Sequence, residues 1–203
     1  MRATLGLLLA FAPCAAFAAP SIADASFEAP ATSSYTYTPG GTPWTYSGPS
    51  GVAASGGPFF AGSPPNGSQA AFIQSGGANV GGVSQTLTGL VSGSVYSFSF
   101  YATERVGYIA NPIDVKFDSA DLGTFTPTTN TFVQFITSAF TAGGTSGVLS
   151  FNGAVTNLSD IDSAIDAVSI NTLSNAVPPV PEPASMALLA AGLVAVAFRR
   201  KRA

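Results

Sequence analysis

The chain has 203 residues with seven basic and ten acidic side chains, no histidine and a single cysteine, Cys14. The lack of histidine removes the usual general base and the commonest transition-metal ligand, and one cysteine cannot form an internal disulfide. An apolar fraction of 46% is too high for a disordered chain, so a packed core is expected.

At the start, Arg2 supplies a thin positive region, Leu5 to Ala12 an apolar run, and Ala16-Phe17-Ala18 a small-x-small cleavage site. This reads as a secretory signal peptide over residues 1–18, cut by signal peptidase through Ala16 and Ala18 to leave a mature chain from Ala19. Pro13 stands before Cys14 where a lipidation signal needs a small Gly or Ala, so no lipid is expected there. Removal of the signal also removes the sole cysteine. The mature chain then has no thiol nucleophile or thiolate metal site, and it tolerates an oxidising compartment without using it.

Residues 19–172 have the size of one domain. Apolar residues recur there at strand spacing. Val95, Tyr96, Phe98 and Phe100 alternate with Ser97, Ser99 and Tyr101, as a half-buried strand requires. Similar runs lie at Ala70 to Gln74, Val83 to Leu87, Ile113 to Phe117, Phe132 to Phe140, Val148 to Asn152 and Ala164 to Ile170. Turn clusters divide them at Pro64-Pro65-Asn66-Gly67, Gly76-Gly77, Gly81-Gly82, Ser92-Gly93, Gly143-Gly144 and Asn152-Gly153. About eight short antiparallel strands imply an all-β sandwich, most simply a jelly roll. Phe98, Phe100, Phe117, Phe132, Phe140 and Phe151 are assigned to its core.

Charge in this body differs from charge in the whole chain. Arg105 and Lys116 are its only bases, against nine carboxylates, a net of −7. Such a domain repels phosphate backbones, so nucleic acid is excluded as a partner, while metal cations and neutral polymers fit.

The order of Phe27-Glu28, Trp44, Asn66-Gly67-Ser68-Gln69-Ala70-Ala71-Phe72, Ser84-Gln85-Thr86-Leu87, Gly93-Ser94-Val95-Tyr96-Ser97-Phe98-Ser99-Phe100 and Ile165-Asp166-Ala167-Val168-Ser169-Ile170 is similar to that of galactose-binding-like modules. That superfamily of jelly rolls includes many carbohydrate-binding modules. The resemblance implies a calcium ion held by Glu28 and Asp166 with backbone carbonyls, oxygen donors of the kind calcium takes in sets of six to eight. Asp160 and Asp162 read as solvated loop residues, whereas Asp166 sits in an apolar strand where an unpaired carboxylate is costly. A sugar would be held by ring stacking and hydrogen bonds. Tyr101 is out of phase with the core-facing Phe98 and Phe100, so Tyr101, Arg105 and Tyr108 are the preferred ligand-binding candidates. Trp44 is a further one, balanced against a place in the core.

No Gly-x-Ser-x-Gly elbow or phosphate loop is present, and the expected role is non-catalytic binding of extracellular polysaccharide. Two alternatives stand beside it. One is a purely structural matrix protein. The other is a glycoside hydrolase, which needs two carboxylates about 5 to 9.5 Å apart, such as Glu28 with Glu104 or Asp114.

After a linker at 173–179, residues 180–203 carry Val180-Pro181-Glu182-Pro183, an uncharged run from Ala184 to Phe198, and Arg199-Arg200-Lys201-Arg202. This resembles the PEP-CTERM sorting signal of bacterial surface and secreted proteins. The run reads as a membrane-inserting helix whose basic cluster stays cytoplasmic. At about 1.5 Å per residue it spans roughly 22 Å, short of the roughly 30 Å hydrocarbon core, which suits a transient anchor. The resemblance implies cleavage by an exosortase near Pro-Glu-Pro, and therefore an exported protein of the cell surface or extracellular space.

Overall fold

The computed structural model describes residues 19–155 and 160–176. The signal peptide with its Ala16 and Ala18 cleavage site lies outside the described residues, as does the tail from Val180 to Arg202. Among the described residues no helix is long and apolar enough to cross a membrane.

Thirteen strands build the domain: β1 (Tyr35–Tyr37), β2 (Thr45–Ser47), β3 (Ser50–Ala54), β4 (Gln69–Gly76), β5 (Asn79–Val80), β6 (Gly82–Thr88), β7 (Val95–Glu104), β8 (Ile113–Phe117), β9 (Ala120–Phe125), β10 (Val133–Ile136), β11 (Phe140–Thr141), β12 (Ser146–Gly153) and β13 (Ile161–Ser174). The first sheet runs β1-β3-β4-β13-β7-β10, with β5 added on β4 and β11 on β7; the second runs β2-β6-β12-β8-β9. Their pairing is antiparallel throughout. The expected all-β antiparallel sandwich is the fold.

The main core lies between the sheets. Alternation in β7 sends Tyr96, Phe98 and Phe100 inward, where they meet Val83, Leu87, Ile113, Val115, Phe117, Leu149 and Phe151 from the second sheet. Phe98 stacks on Phe140 at 5.3 Å, and Phe100 meets Phe151 edge-on at 5.1 Å. Such pairs contribute about 0.5–1.5 kcal/mol each beyond the area they bury.

A second, smaller core covers the outer side of the first sheet. The segment between β3 and β4 folds across it, so that Phe59 and Phe60 pack on Ala53, Ala70, Phe72 and Ala164. Phe59 lies flat on Phe72, 3.8 Å between centroids, and Phe132 meets Phe60 edge-on at 5.5 Å. Phe132 therefore belongs to this outer layer instead of the main core.

Other expectations shift in detail. The run Phe132 to Phe140 is broken: Thr137 hydrogen-bonds back to Phe98, its N–H on the carbonyl and its hydroxyl oxygen accepting the Phe98 N–H, which separates β10 from β11. Asn152 and Gly153 are no turn but the end of β12, paired with Asp114 and Ile113. β13 runs to Ser174, past the boundary at residue 172, because its ladder with β7 continues to Val95.

Candidate functional site

The outer face of the first sheet holds two polar ends on either side of the Phe59–Phe60 layer. β13 sets their places. Ile165 points into the main core and Ala164 into the outer one, so Asp162, Ala164 and Asp166 share the outer face, two residues apart.

At the Asp166 end, a β-bulge follows in β13, and the Val168 N–H donates to the Ala25 carbonyl, laying the N-terminal segment alongside. Asp24 folds this segment by accepting the Glu28 and Ala29 N–H groups, and the Trp44 indole donates to the Asp24 carbonyl at 2.9 Å. Glu28 Oε1 then accepts the N–H groups of Ser68 and Gln69, both at 2.8 Å, while Asp166 Oδ2 accepts that of Asn66 at 2.9 Å. One short loop thus spans both carboxylates. Gly67 sits between them at φ +74°, and a Cβ there would collide with Glu28 Oε1. Asp24, Phe27 and Ala167 also have positive φ. For non-glycine residues the left-handed region costs roughly 1–2 kcal/mol each, a strain that clusters where a site is held in place.

Asp166 is fully buried, and its Oδ1 has no hydrogen-bond partner among the described residues. Burial raises its pKa to about 7 against the pull of the Asn66 and Ala167 N–H groups, and the negative charges of Glu28 and Asp24 push the same way. The unpartnered Asp166 Oδ1 is one oxygen donor of the kind a hard cation takes. No three acidic, His or Cys side chains among the described residues form a ready ligand set, so carbonyl or water oxygens would have to complete the shell.

At the other end, the Arg105 guanidinium lies 3.8 Å from the Tyr108 ring centroid and 5.2 Å from that of Phe59. Its Nη1 reaches Asp160 Oδ1 at 3.1 Å, and Asp160 also accepts from the Gln74 side-chain amide. Gln74 in turn accepts the Tyr37 hydroxyl at 2.7 Å. Tyr35 and Tyr37 stand edge-on to Phe59 and are 47% and 42% exposed as residues. Beneath them Asp162 is fully buried, with neither carboxylate oxygen partnered among the described residues. Burial pushes its pKa well up, Arg105 opposes this and Asp160 adds to it. Asp162 is therefore not the solvated loop residue expected. It lies inside β13, opposite Gln74 of β4.

The ligand candidates divide. Arg105 and Tyr108 are stacked together. Tyr101 is half-buried on the same face but pairs with Asp166 in register, about 13 Å along β7 from Arg105, with Ala164 and its covering Phe60 and Phe132 between. Trp44 is no ligand platform: it is 2% exposed and packs on Phe27 at 4.8 Å. The glycosidase pairing of Glu28 with Asp114 fails, since Asp114 points outward from the second sheet, where it accepts from Thr124, on the opposite side of the sandwich. The sequence does not single out Tyr35, Tyr37 or Gln74 as site residues, and it suggests a loop position for Asp162. β1 carries aromatic residues at period two, a signal hidden by its three-residue length.

Residues 179–202 match the PEP-CTERM protein-sorting motif. No curated protein matches the sequence. Among solved structures, a cyclase from Fischerella sp. TAU in complex with 4-(1H-indol-3-yl)butan-2-one is similar at a TM-score of 0.59 and 16% identity, covering 77% of this chain and 99% of its own. The N-terminal CBM22-1-CBM22-2 tandem domain of Paenibacillus barcinonensis Xyn10C is similar at 0.51 and 18% identity, covering 84% of this chain and 50% of that one. At these identities the likeness is one of fold. Fold and motif together define the class: an antiparallel β-sandwich of the jelly-roll kind, on a chain sorted by a C-terminal motif. The chain is an exported, exosortase-processed surface protein.

Proposed function

We propose that the sandwich binds neutral extracellular polysaccharide without catalysis, through the Arg105 end of its outer face. The observation that carries this is the convergence there of exposed rings and polar groups: Tyr35, Tyr37 and Tyr108 around Arg105, Gln74 and Asp160. Sugar rings stack on aromatic faces while their hydroxyls take hydrogen bonds from a few placed polar groups. The fold likeness to the CBM22 tandem agrees with the resemblance to carbohydrate-binding modules, though fold alone does not define function. The test is retention of the 19–176 fragment in gels containing extracellular glycans. Tyr108→Ala should weaken retention with little change in melting temperature, and Arg105→Ala should weaken retention and also lower the melting temperature, because it removes the ion pair with Asp160 and the positive charge near buried Asp162. Retention equal to wild type in both would overturn the reading.

One observation favours the structural-matrix alternative. Phe59, Phe60 and Phe132 already fill the middle of the face with the protein's own side chains, leaving one end of it to a ligand. That reading predicts no retention on any glycan.

We also propose a structural role for calcium at Glu28 and Asp166, supported by the unpartnered Asp166 oxygen. There it would tie the N-terminal segment to the loop over β13, and would take no part in sugar chemistry.

A further inference from the structure

We infer that the membrane-tethered precursor stands on the Ser94 end of its sandwich, facing lipid headgroups, and holds the Arg105 end away from the membrane. The inference rests on insertion of the C-terminal tail; the glycan reading matters only for what the far end meets. β7 and β13 run antiparallel, so Ser163 pairs with Glu104 at one end and Ser174 with Val95 at the other. Nine steps of β7 separate Glu104 from Val95, and at about 3.3 Å each the two ends lie roughly 30 Å apart.

The chain leaves the body at the Val95 end. There the Ala176 N–H donates to Ser94 Oγ at 2.8 Å, which ties the start of the tether to the floor of the sandwich. The floor is itself cross-linked: Gly93 N–H to the Ala142 carbonyl at 2.8 Å, Leu90 N–H to that of Thr145 at 3.1 Å, and Ser92 Oγ to that of Gly143 at 3.3 Å. From Ala176 to the apolar run at Ala184 there are seven residues, 177–183, which reach at most about 25 Å when extended. A tether that short, fixed at one end of a body longer than itself, favours that end facing the bilayer.

The exported chain from Ala19 to Ala203 has no cysteine, so single labelling sites can be placed freely. Gly143→Cys marks the floor, where an added Cβ meets nothing within 4 Å, and Val106→Cys marks the far end, at a residue 51% exposed. Each variant, carrying a donor dye, is reconstituted into phosphatidylcholine and phosphatidylglycerol vesicles with a headgroup-linked acceptor and separated by flotation. Energy transfer should be several-fold stronger from position 143 than from 106, and absent from both in the chain ending at Ala176. Floating protein with equal transfer, or with stronger transfer from 106, overturns the orientation. Protein that does not float overturns tail insertion and the orientation with it, but leaves glycan retention by the 19–176 fragment untouched.

Discussion

Asp166 is the residue on which stability should hinge. Burial holds its carboxyl at about 7 in the folded state, against about 3.9 in an unfolded chain. A raised folded pKa means the native state keeps a proton that the unfolded state releases. Its contribution is therefore full below about pH 4 and is lost as pH rises through about 7. Without a cation, the melting temperature should fall across that window. Calcium competes with the proton, so its stabilisation should be small near pH 4.5 and large at pH 7.5, up to about 2.7 kcal/mol at a hundredfold excess over Kd. Asp166→Asn should abolish the calcium response; a wild type insensitive to both calcium and chelator at pH 7.5 would remove the metal from this site. Asp166 stood out in the sequence as a charge within an apolar strand. Asp162 did not, although it shares the same face, because nothing local reveals that the strand already runs from Ile161 and sets it opposite Gln74 of β4. Trp44 was ambiguous for a similar reason: its burial depends on Phe27 and on Asp24 accepting the indole N–H, contacts made across 17 and 20 residues of chain.

At the scale of elements, β7 was legible because Tyr96, Phe98 and Phe100 alternate with Ser97, Ser99 and Tyr101, which fixes the phase. Phe100→Ala, on the inner face, should cost roughly 3–5 kcal/mol, while Tyr101→Ala, on the outer face, should cost far less by urea unfolding. The reverse ranking would mean the strand's faces are swapped. β1, β2 and β5 hold two or three residues each, too few for periodicity to appear, so the Tyr35–Tyr37 wall was invisible. The layer of Phe59 and Phe60 was equally hidden, since a Gly- and Pro-rich connection gives no sign of which sheet face it crosses. The loop that follows it is held by its root: Asn66, Ser68 and Gln69 give their N–H groups to Asp166 and Glu28. Gly67→Ala should loosen that root, through both its positive φ and the collision with Glu28, lowering the melting temperature and weakening calcium binding together. A variant with unchanged melting and unchanged calcium response would show that the loop does not depend on this contact.

For the whole molecule, the division into an acidic body and a sorting tail governs behaviour. The body's net −7 leaves Arg105 and Lys116 as its only cations, so capture of a glycan by charge is weak and retention should change little between low and high salt. Deletion of residues 180–203 should release the body from the membrane fraction, and Glu182→Ala should impair C-terminal processing, read by mass, with the fold unchanged; identical fractionation and processing of full-length and truncated chains would contradict the sorting role. Composition and end motifs made this division readable at once, because targeting signals are local in sequence. The binding face was less readable, since it is assembled from β1, β4, β7 and β13 and the loop after β3. Comparing glycan retention by wild-type, Tyr108→Ala and Tyr101→Ala fragments spanning 19–176 tests the central claim most directly. Loss in Tyr108→Ala with retention in Tyr101→Ala is the predicted result; retention in Tyr108→Ala, or no retention by the wild type on any extracellular polysaccharide, would contradict a sugar site at the Arg105 end.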